Sequence, residues 1–232
     1  FYFNDFMNKI QKIYNLLLNK FGPQGWWPIN NKYNINNKET IPKEQLEIIL
    51  GAILTQNTSW KNVEKALKNL KNNNLLIKNN LEKIETDKLS KIIKPSGYHN
   101  QKAKKIKEFL KFKETLTRTN LLNIWGIGPE TADSILLYAY NQPYFVIDAY
   151  TKRIFQRLGF KENTYKELQN LFHTNLEKDH KIFNEYHALI VQLAKTNCKK
   201  TPECESCPLK NLCNFTYSQS SSSSLPSKDS SL

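Results

Sequence analysis

Apolar residues in this chain recur at the spacing of a buried helix face along most of its length. In residues 46–54 they stand at positions i, i+3, i+4, i+7 and i+8, and residues 60–70, 103–110 and 182–193 continue the pattern. No stretch alternates polar and apolar residues for long enough to predict a β-sheet. The sequence therefore predicts an all-α fold, and its 232 residues are enough to bury a sizeable core.

Breaker residues mark the joints between these helices. Gly22–Gly25 ends the first helix, and Pro95–Gly97 and Asn141–Pro143 separate later ones. Residues 216–232 are mostly serine and carry no apolar pattern, so we predict a disordered tail there.

The charge balance points to a polyanionic partner. Lysine and arginine number 34 against 21 aspartates and glutamates, a net charge of +13. Nucleic acid is the first candidate for such a chain, although lysines beside asparagines also arise from a compositional bias of the genome. No apolar run has the length of a membrane helix, so we expect a soluble intracellular protein without a membrane partner.

Four cysteines close the patterned part of the chain, and none precedes them. Five, two and five residues separate Cys198, Cys204, Cys207 and Cys213. Thiols this close are paired as disulfides or converge on one metal centre, and the two-residue gap is typical of metal ligation. No secretory signal is visible at the start, which disfavours disulfides. We predict a metal or iron–sulfur site.

A glycine-containing turn lies between two apolar segments. Gly126 and Gly128 permit a tight backbone turn, and Pro129 suits the first position of the following helix. Backbone amides at such a helix start can bind a phosphate. The same pattern also occurs in ordinary helix–helix turns, so the turn by itself leaves both interpretations open.

Other segments accompany this turn in a recognisable order. Leu54–Thr58, Ser96–Ala103, the turn at Gly126–Gly128, Phe145–Asp148 and the four cysteines closely resemble the signatures of the endonuclease III-like helix–hairpin–helix DNA glycosylases, over roughly residues 5–215. The first cysteine gap is five residues, where six is usual in the family.

The resemblance implies two helical lobes on either side of a DNA cleft. Residues 1–39 would carry the first helix and a Trp-Trp-Pro loop, residues 40–142 a helical barrel that ends in the hairpin, and residues 143–215 the catalytic and cluster lobe, against which the first helix packs. It also implies a monomer that binds double-stranded DNA containing a damaged base. The four cysteines would hold a 4Fe–4S cluster, with zinc as the alternative.

The resemblance also implies the reaction. Phe145–Asp148 matches the segment that carries the catalytic aspartate, so we expect Asp148 to be catalytic; its alternative role is the N-cap of the helix that begins at Ala149. Bifunctional members carry a lysine eighteen residues earlier, where this chain has Glu130. Because a lysine amine is needed to form a Schiff base, the resemblance implies a monofunctional glycosylase. Glu130 also suits the first turn of a helix.

A group of aromatic residues suggests the substrate. Trp26, Trp27, Pro28 and Trp60 resemble the pocket of the branch that removes 3-methyladenine. An alkylated purine is cationic and stacks well on aromatic faces once it is flipped out of the duplex. We therefore expect these residues to form the base pocket, although Trp60 also fits the apolar stripe of a core helix.

The remaining candidates are DNA contacts. We expect Gln56 to fill the gap left by the flipped nucleotide and the other residues of this set to contact the DNA backbone. They are Gly126, Gly128 and Thr131 of the hairpin, and Lys199 and Lys200 of the first cysteine loop. Two alternatives stay open: a glycosylase for uracil, thymine mismatches or oxidised pyrimidines, and a non-catalytic helix–hairpin–helix DNA-binding module.

Overall fold

The computed structural model describes residues 2–34 and 38–215, with side chains from residue 9 onward. The predicted serine-rich tail lies outside these residues. The α-helices of the described residues are α1 (Tyr2–Phe21), α2 (Pro42–Leu54), α3 (Trp60–Asn72), α4 (Lys78–Lys83), α5 (Thr86–Ile92), α6 (His99–Lys111), α7 (Arg118–Leu122), α8 (Pro129–Ser134), α9 (Ala149–Arg157), α10 (Tyr165–Asn175) and α11 (His180–Thr196).

The all-α prediction is confirmed. Between residues 2 and 34 and between 38 and 215 there is no β-strand, and the nearest approach to one is an isolated bridge between Ile29 and Lys32. Helix α8 runs directly into a wider π-helical segment, Ile135–Ala139. None of the helices in this part of the chain is both long enough and apolar enough to cross a membrane.

The helices pack in two groups that share one continuous core. Helix α2 contacts α3, α6 and α8, and α5 lies against α6. In the other group α1 contacts α10 and α11, and α9 contacts α11. The π-helical segment touches both α2 and α11 and so joins the groups. Its five residues, 135–139, are all buried.

Helix α11 is apolar on the face that meets the rest of the molecule. Five of its side chains are at most 1% exposed: Phe183, Tyr186, Leu189, Ile190 and Leu193. Burying a large apolar side chain stabilises a fold by about 1.5–3 kcal/mol. The Tyr186 hydroxyl donates to the Ile10 carbonyl at 2.9 Å, which ties α1 to α11. This packing fixes the position of every side chain that α11 presents to the interior.

A buried aspartate connects the hairpin helix to the segment that leads to Asp148. Asp133, on α8, is fully buried and accepts hydrogen bonds from Arg118 (2.6 and 3.0 Å), from the Tyr165 hydroxyl (2.7 Å) and from the Gln169 amide (2.7 Å). The same Gln169 amide donates to the Phe145 carbonyl at 2.8 Å. A buried charge must be paired and hydrogen-bonded, and here its partners hold residues 145–148 against α8.

Candidate active site

A cavity of about 550 Å³ lies where the two helix groups meet. Its volume falls in the range of roughly 300–1,000 Å³ that is typical of small-molecule sites. The structure brings together in its lining seven of the residues singled out from the sequence: Trp26, Trp27, Gln56, Trp60, Glu130, Thr131 and Asp148. They come from the loop after α1, from both ends of the α2–α3 connection, from α8 and from the start of α9.

Three tryptophans form an aromatic wall of this cavity. The Trp26 and Trp60 ring centroids lie 4.6 Å apart, and both rings also contact Trp27 at 5.1 and 5.2 Å. Trp27 is 7% exposed and lies so close to α2 that a Cβ at Gly51 would come within 2.6 Å of its indole. The glycine therefore permits this approach, and Trp27 serves both the core and the cavity.

Asp148 is the N-cap of α9 and lines the same cavity. Its Oδ1 accepts hydrogen bonds from the Thr151 amide at 2.7 Å and from the Thr151 hydroxyl at 2.8 Å. Burial raises the pKa of this carboxyl, but the nearby His187 and the two Thr151 donors outweigh burial, and the net pKa is lowered from its usual value. Asp148 is therefore held in one orientation as a carboxylate.

A histidine that the sequence did not single out lies beside this carboxylate. His187, on α11, has its Nε2 at 3.7 Å from Asp148 Oδ2, and its Nδ1 at 2.7 Å from the Tyr138 hydroxyl. Tyr138 in turn packs on Trp27, with centroids 5.2 Å apart. A continuous run of contacts thus leads from the tryptophans to Asp148.

Glu130 also lies in the cavity lining, near its mouth. The residue is exposed over much of its surface, yet its carboxyl has a pKa raised by burial in the cavity and by the negative charge of Asp148, with opposing effects from His187 and Lys152. Its alternative role also has support, since Glu130 is the acidic residue in the first turn of α8. The cavity therefore carries two carboxylates.

Gln56 is held against the hairpin by three contacts. Its amide donates to the Thr131 hydroxyl at 2.9 Å and to the Gly126 carbonyl at 3.2 Å, and its own carbonyl accepts from Lys105. Gly126 has φ +84°, and a Cβ there would lie 2.5 Å from Lys105. Only glycine suits this position.

Comparison with known proteins identifies the family. The model of the HhH-GPD superfamily, described as base excision DNA repair proteins, matches residues 50–178, more than half of the chain. The chain belongs to the HhH-GPD superfamily. The protein is a base excision repair DNA glycosylase of this type, and the predicted family is confirmed.

Two curated relatives share most of their length with this glycosylase. The "Putative DNA repair glycosylase MJ1434" of Methanocaldococcus jannaschii is 45% identical over 222 residues, which cover 88% of this chain and 95% of the relative. Endonuclease III of Thermotoga maritima is 30% identical over 196 residues, covering 81% and 89%.

Solved structures show the same architecture. The H. pylori 3-methyladenine DNA glycosylase MagIII, bound to 1,N6-ethenoadenine, superposes with a TM-score of 0.68 at 30% identity and covers 82% of this chain and 97% of its own. A trapped endonuclease III–DNA covalent intermediate has a TM-score of 0.73 over 90% of this chain and 95% of its own, but at 19% identity it shows the fold alone.

The remaining predicted contacts of the glycosylase lie away from the cavity lining. Pro28 is buried and is not part of the lining; it leads from Trp27 into the turn closed by Ile29 and Lys32. Gly128 has an ordinary φ of −92°, and a Cβ there would meet nothing within 4 Å. The backbone conformation therefore does not require a glycine at position 128, whereas it does at position 126.

Lys199 and Lys200 lie in the first cysteine loop, as their positions in the sequence require. The Lys199 ammonium pairs with Glu203, and the Lys200 side chain is exposed. Arg157, the last residue of α9, donates to both lysine carbonyls, at 2.7 and 3.0 Å. Helix α9, whose N-cap is Asp148, thus ends on this loop.

The four cysteines of the glycosylase line one small cavity of about 60 Å³. All four are free thiols, and the other three add to the effect of burial in raising the pKa of Cys207. Arg157 donates to the Cys198 sulfur at 3.2 Å, and the Cys213 thiol donates to the Arg157 carbonyl at 3.3 Å. Within residues 2–34 and 38–215, no three His, Cys, Asp or Glu side chains converge as the ligands of a single metal ion do.

Sequence reasoning missed His187, Tyr138 and Thr151. The signal for His187 was present, because a histidine within the apolar stretch 182–193 is a polar group that must be satisfied in the core. Tyr138 gave no such signal, whereas Thr151 did, because an N-cap at Asp148 accepts from the amide two or three residues later. The role of Tyr138 depends on its contact with His187, 49 positions later in the chain, and only the folded structure shows this contact.

Proposed function

We propose that this glycosylase is monofunctional and hydrolyses the N-glycosidic bond of a flipped alkylated purine such as 3-methyladenine. The observation that carries the proposal is that Trp26, Trp27 and Trp60 line the same cavity as Asp148. A base that leaves the duplex needs a pocket with stacking faces, and its sugar needs a carboxylate within reach.

The aromatic wall favours a cationic base. The negative face of an indole attracts a cation, and an alkylated purine carries a positive charge on its ring. Such a base leaves as a neutral molecule and needs no proton from the enzyme. MagIII, the 30%-identical H. pylori relative, is named for 3-methyladenine, which supports this class of base for this chain. Its bound ligand, 1,N6-ethenoadenine, is uncharged and supports only a pocket for an adenine-type base.

Asp148 would supply the catalytic charge. Positive charge develops on the deoxyribose as the base departs, and a fixed carboxylate stabilises it. The Thr151 donors hold Oδ1, so Asp148 meets the transition state without having to reorganise. Capping and catalysis are compatible, because the cap fixes the direction of the carboxylate.

Glu130 is the basis of the monofunctional assignment. It lines the cavity at the position where bifunctional relatives have their lysine, and a carboxylate cannot form a Schiff base. Lys195 also lines the cavity, and Lys105 is held by Gln56; neither occupies the position of the missing lysine. The product should be an abasic site on an unbroken strand.

The DNA contacts would surround the cavity mouth. We propose that Gln56 leaves its bonds to Thr131 and Gly126 and enters the space vacated by the flipped nucleotide, while the hairpin and the lysine-bearing loop contact phosphates. The net charge of +13 favours this partner.

We propose that the four cysteines hold a 4Fe–4S cluster. Its donor set is four free thiols on one small cavity, and each iron of such a cluster takes one thiolate. Cys198, Cys204, Cys207 and Cys213 would hold it, with the Arg157 guanidinium beside Cys198. The cluster would stabilise the loop that carries Lys199 and Lys200, because base hydrolysis requires no electron transfer.

A base-release assay tests this proposal. Duplexes that each carry one lesion are incubated with the protein: 3-methyladenine, 1,N6-ethenoadenine, uracil, a thymine mismatch or an oxidised pyrimidine. We expect release of 3-methyladenine, the cationic base of this set, in preference to the uncharged 1,N6-ethenoadenine, and breakage of the strand only after alkali. Preferential release of uracil, thymine or an oxidised pyrimidine would overturn the substrate assignment, and binding without any release would favour the non-catalytic alternative.

A further inference from the structure

Helix α11 carries a buried carboxylate, Glu185, that the proposed function does not use. The residue is 7% exposed and is not part of the lining of the 550 Å³ cavity. Burial raises its pKa, and hydrogen bonds from the Gln24 and Gly25 amides oppose that rise. Among the described residues, no lysine, arginine or histidine contributes to this shift. A buried carboxylate without a cationic partner is costly, so its place in the core needs a reason.

The partners of this carboxylate lie in the loop that follows α1. The Gln24 amide donates to Glu185 Oε1 at 2.7 Å. Gly25 is buried and has φ +64°, and its buried N–H also needs an acceptor. The Gln24 side chain donates to the Phe21 and Gly22 carbonyls, at 3.2 and 2.9 Å, and so closes the loop on the end of α1. Glu185 therefore holds this loop against α11.

Trp26 is the first residue after this anchored backbone. Trp27 is 7% exposed and packs closely on α2 at Gly51, so the core holds it directly. Trp26 is less buried, and its ring contacts three other rings, those of Trp27, Trp60 and Tyr33, with centroids 5.1, 4.6 and 6.1 Å away. The position of Trp26 consequently depends more on the backbone that precedes it than the position of Trp27 does.

We propose that Glu185 positions Trp26 as a stacking face for the flipped base by holding the backbone of residues 24 and 25 against α11. This inference rests on the proposed function and adds Glu185 to it as a positioning residue that contacts neither the base nor the sugar. Hydrogen bonds to a carboxylate are stronger than those to a neutral acceptor. A stacking face that is already fixed lets the base bind without first ordering the loop.

Glu185 and Asp148 would then act on different steps. Glu185 affects the fraction of complexes in which the base is seated in the cavity, whereas Asp148 affects the rate at which a seated base is released. The observed rate is the product of these two quantities. Changes at Glu185 and Asp148 should therefore multiply, while changes at Glu185 and Trp26 should not.

A double-mutant cycle with Trp26 tests this arrangement. We expect Glu185→Ala to lower the single-turnover rate of 3-methyladenine release by about tenfold, with unchanged affinity for an undamaged duplex. Trp26→Ala should lower the rate at least as much. Adding Glu185→Ala to Trp26→Ala should cause almost no further loss, whereas adding it to Asp148→Asn should cause the full loss of about tenfold again.

Matched variants separate the hydrogen bonds from the charge and from general stability. Glu185→Gln keeps a side-chain oxygen that can accept from the Gln24 amide, so it should recover much of the rate. Glu185→Asp keeps the charge but is one methylene shorter, so it should be impaired, and it replaces Glu185→Ala in the cycle if that variant does not fold. Glu167 also accepts from two backbone amides, those of Asn163 and Thr164 at 3.2 and 3.0 Å, but lies outside the cavity lining. Glu167→Ala should leave the rate unchanged.

The outcomes separate this inference from the proposed function. If the wild type releases 3-methyladenine but Glu185→Ala is silent, or its effect multiplies with that of Trp26→Ala, Glu185 does not position Trp26 and the proposed function stands. A Glu185→Gln protein as impaired as Glu185→Ala would likewise refute the anchoring role. If the wild type releases a different base, the substrate assignment is wrong, and the same cycle on that base tests Glu185. If it releases no base, both fall together.

Discussion

Replacing Asp148 separates its two roles, because the capping bonds and the charge belong to different features of the side chain. In the wild type the Thr151 amide and hydroxyl donate to Asp148 Oδ1 at 2.7 and 2.8 Å. In Asp148→Asn the side-chain oxygen can still accept both hydrogen bonds, while the negative charge is lost. In Asp148→Ala both bonds are lost as well. The loss of the cap costs about 1 kcal/mol. The fully buried Thr151 hydroxyl loses its acceptor, which costs about 1–3 kcal/mol more.

The rate of base release should depend on the charge of Asp148, and the stability of the fold should depend on its hydrogen bonds to Thr151. We expect Asp148→Asn to lower single-turnover base release by on the order of a hundredfold or more, while the midpoint of chemical denaturation changes little. Asp148→Ala should lose the same activity and also unfold at lower denaturant concentration. A folded Asp148→Asn protein with near-normal base release would refute this reasoning and leave Asp148 as a cap alone.

Three further predictions concern other parts of the molecule. Borohydride should trap no covalent adduct between the wild type and damaged DNA, and an adduct would refute the monofunctional assignment. Glu130→Lys places an amine in the cavity and should yield some adduct. Protein purified anaerobically should be brown and contain about four irons and four acid-labile sulfides per chain, and zinc without iron would contradict the cluster. Lys102 is 1% exposed and donates to the Leu54 and Ser96 carbonyls at 2.8 and 2.6 Å, so Lys102→Met should cost about 1–3 kcal/mol. Burial lowers the pKa of Lys102 to about 8, so between pH 8 and 10.5 the unfolded chain binds more protons than the folded chain. The free energy of unfolding of the wild type should therefore rise relative to that of Lys102→Met as pH increases through this range. A constant or shrinking difference between the two proteins would contradict this prediction.

The helical architecture could be predicted because the apolar residues of each buried helix face recur at helical spacing along the chain. The apolar stretch 182–193 became α11, and the breakers at 95–97 and 141–143 fall at the ends of helices. The hairpin was predictable for a similar reason, since Gly126 must adopt a positive φ and only glycine does so at low cost.

The cavity could be predicted only in part. The resemblance indicated Trp26, Trp27, Trp60 and Asp148, but it also indicated Pro28, which is buried outside the lining. The sequence pattern alone assigns a side chain on an apolar helix face to the core. It therefore could not indicate that His187, in the middle of such a face, lies beside a carboxylate 39 positions earlier in the chain.

The most direct test of the account measures free bases released from methylated DNA. Duplex DNA treated with a methylating agent is incubated with the wild type or with Asp148→Asn, and the released bases are identified by mass spectrometry. The account predicts that free 3-methyladenine appears with the wild type at least about a hundredfold faster than with Asp148→Asn, and that the strands stay intact until alkali is added. Equal release by both proteins, or no methylated purine from the wild type, would contradict it.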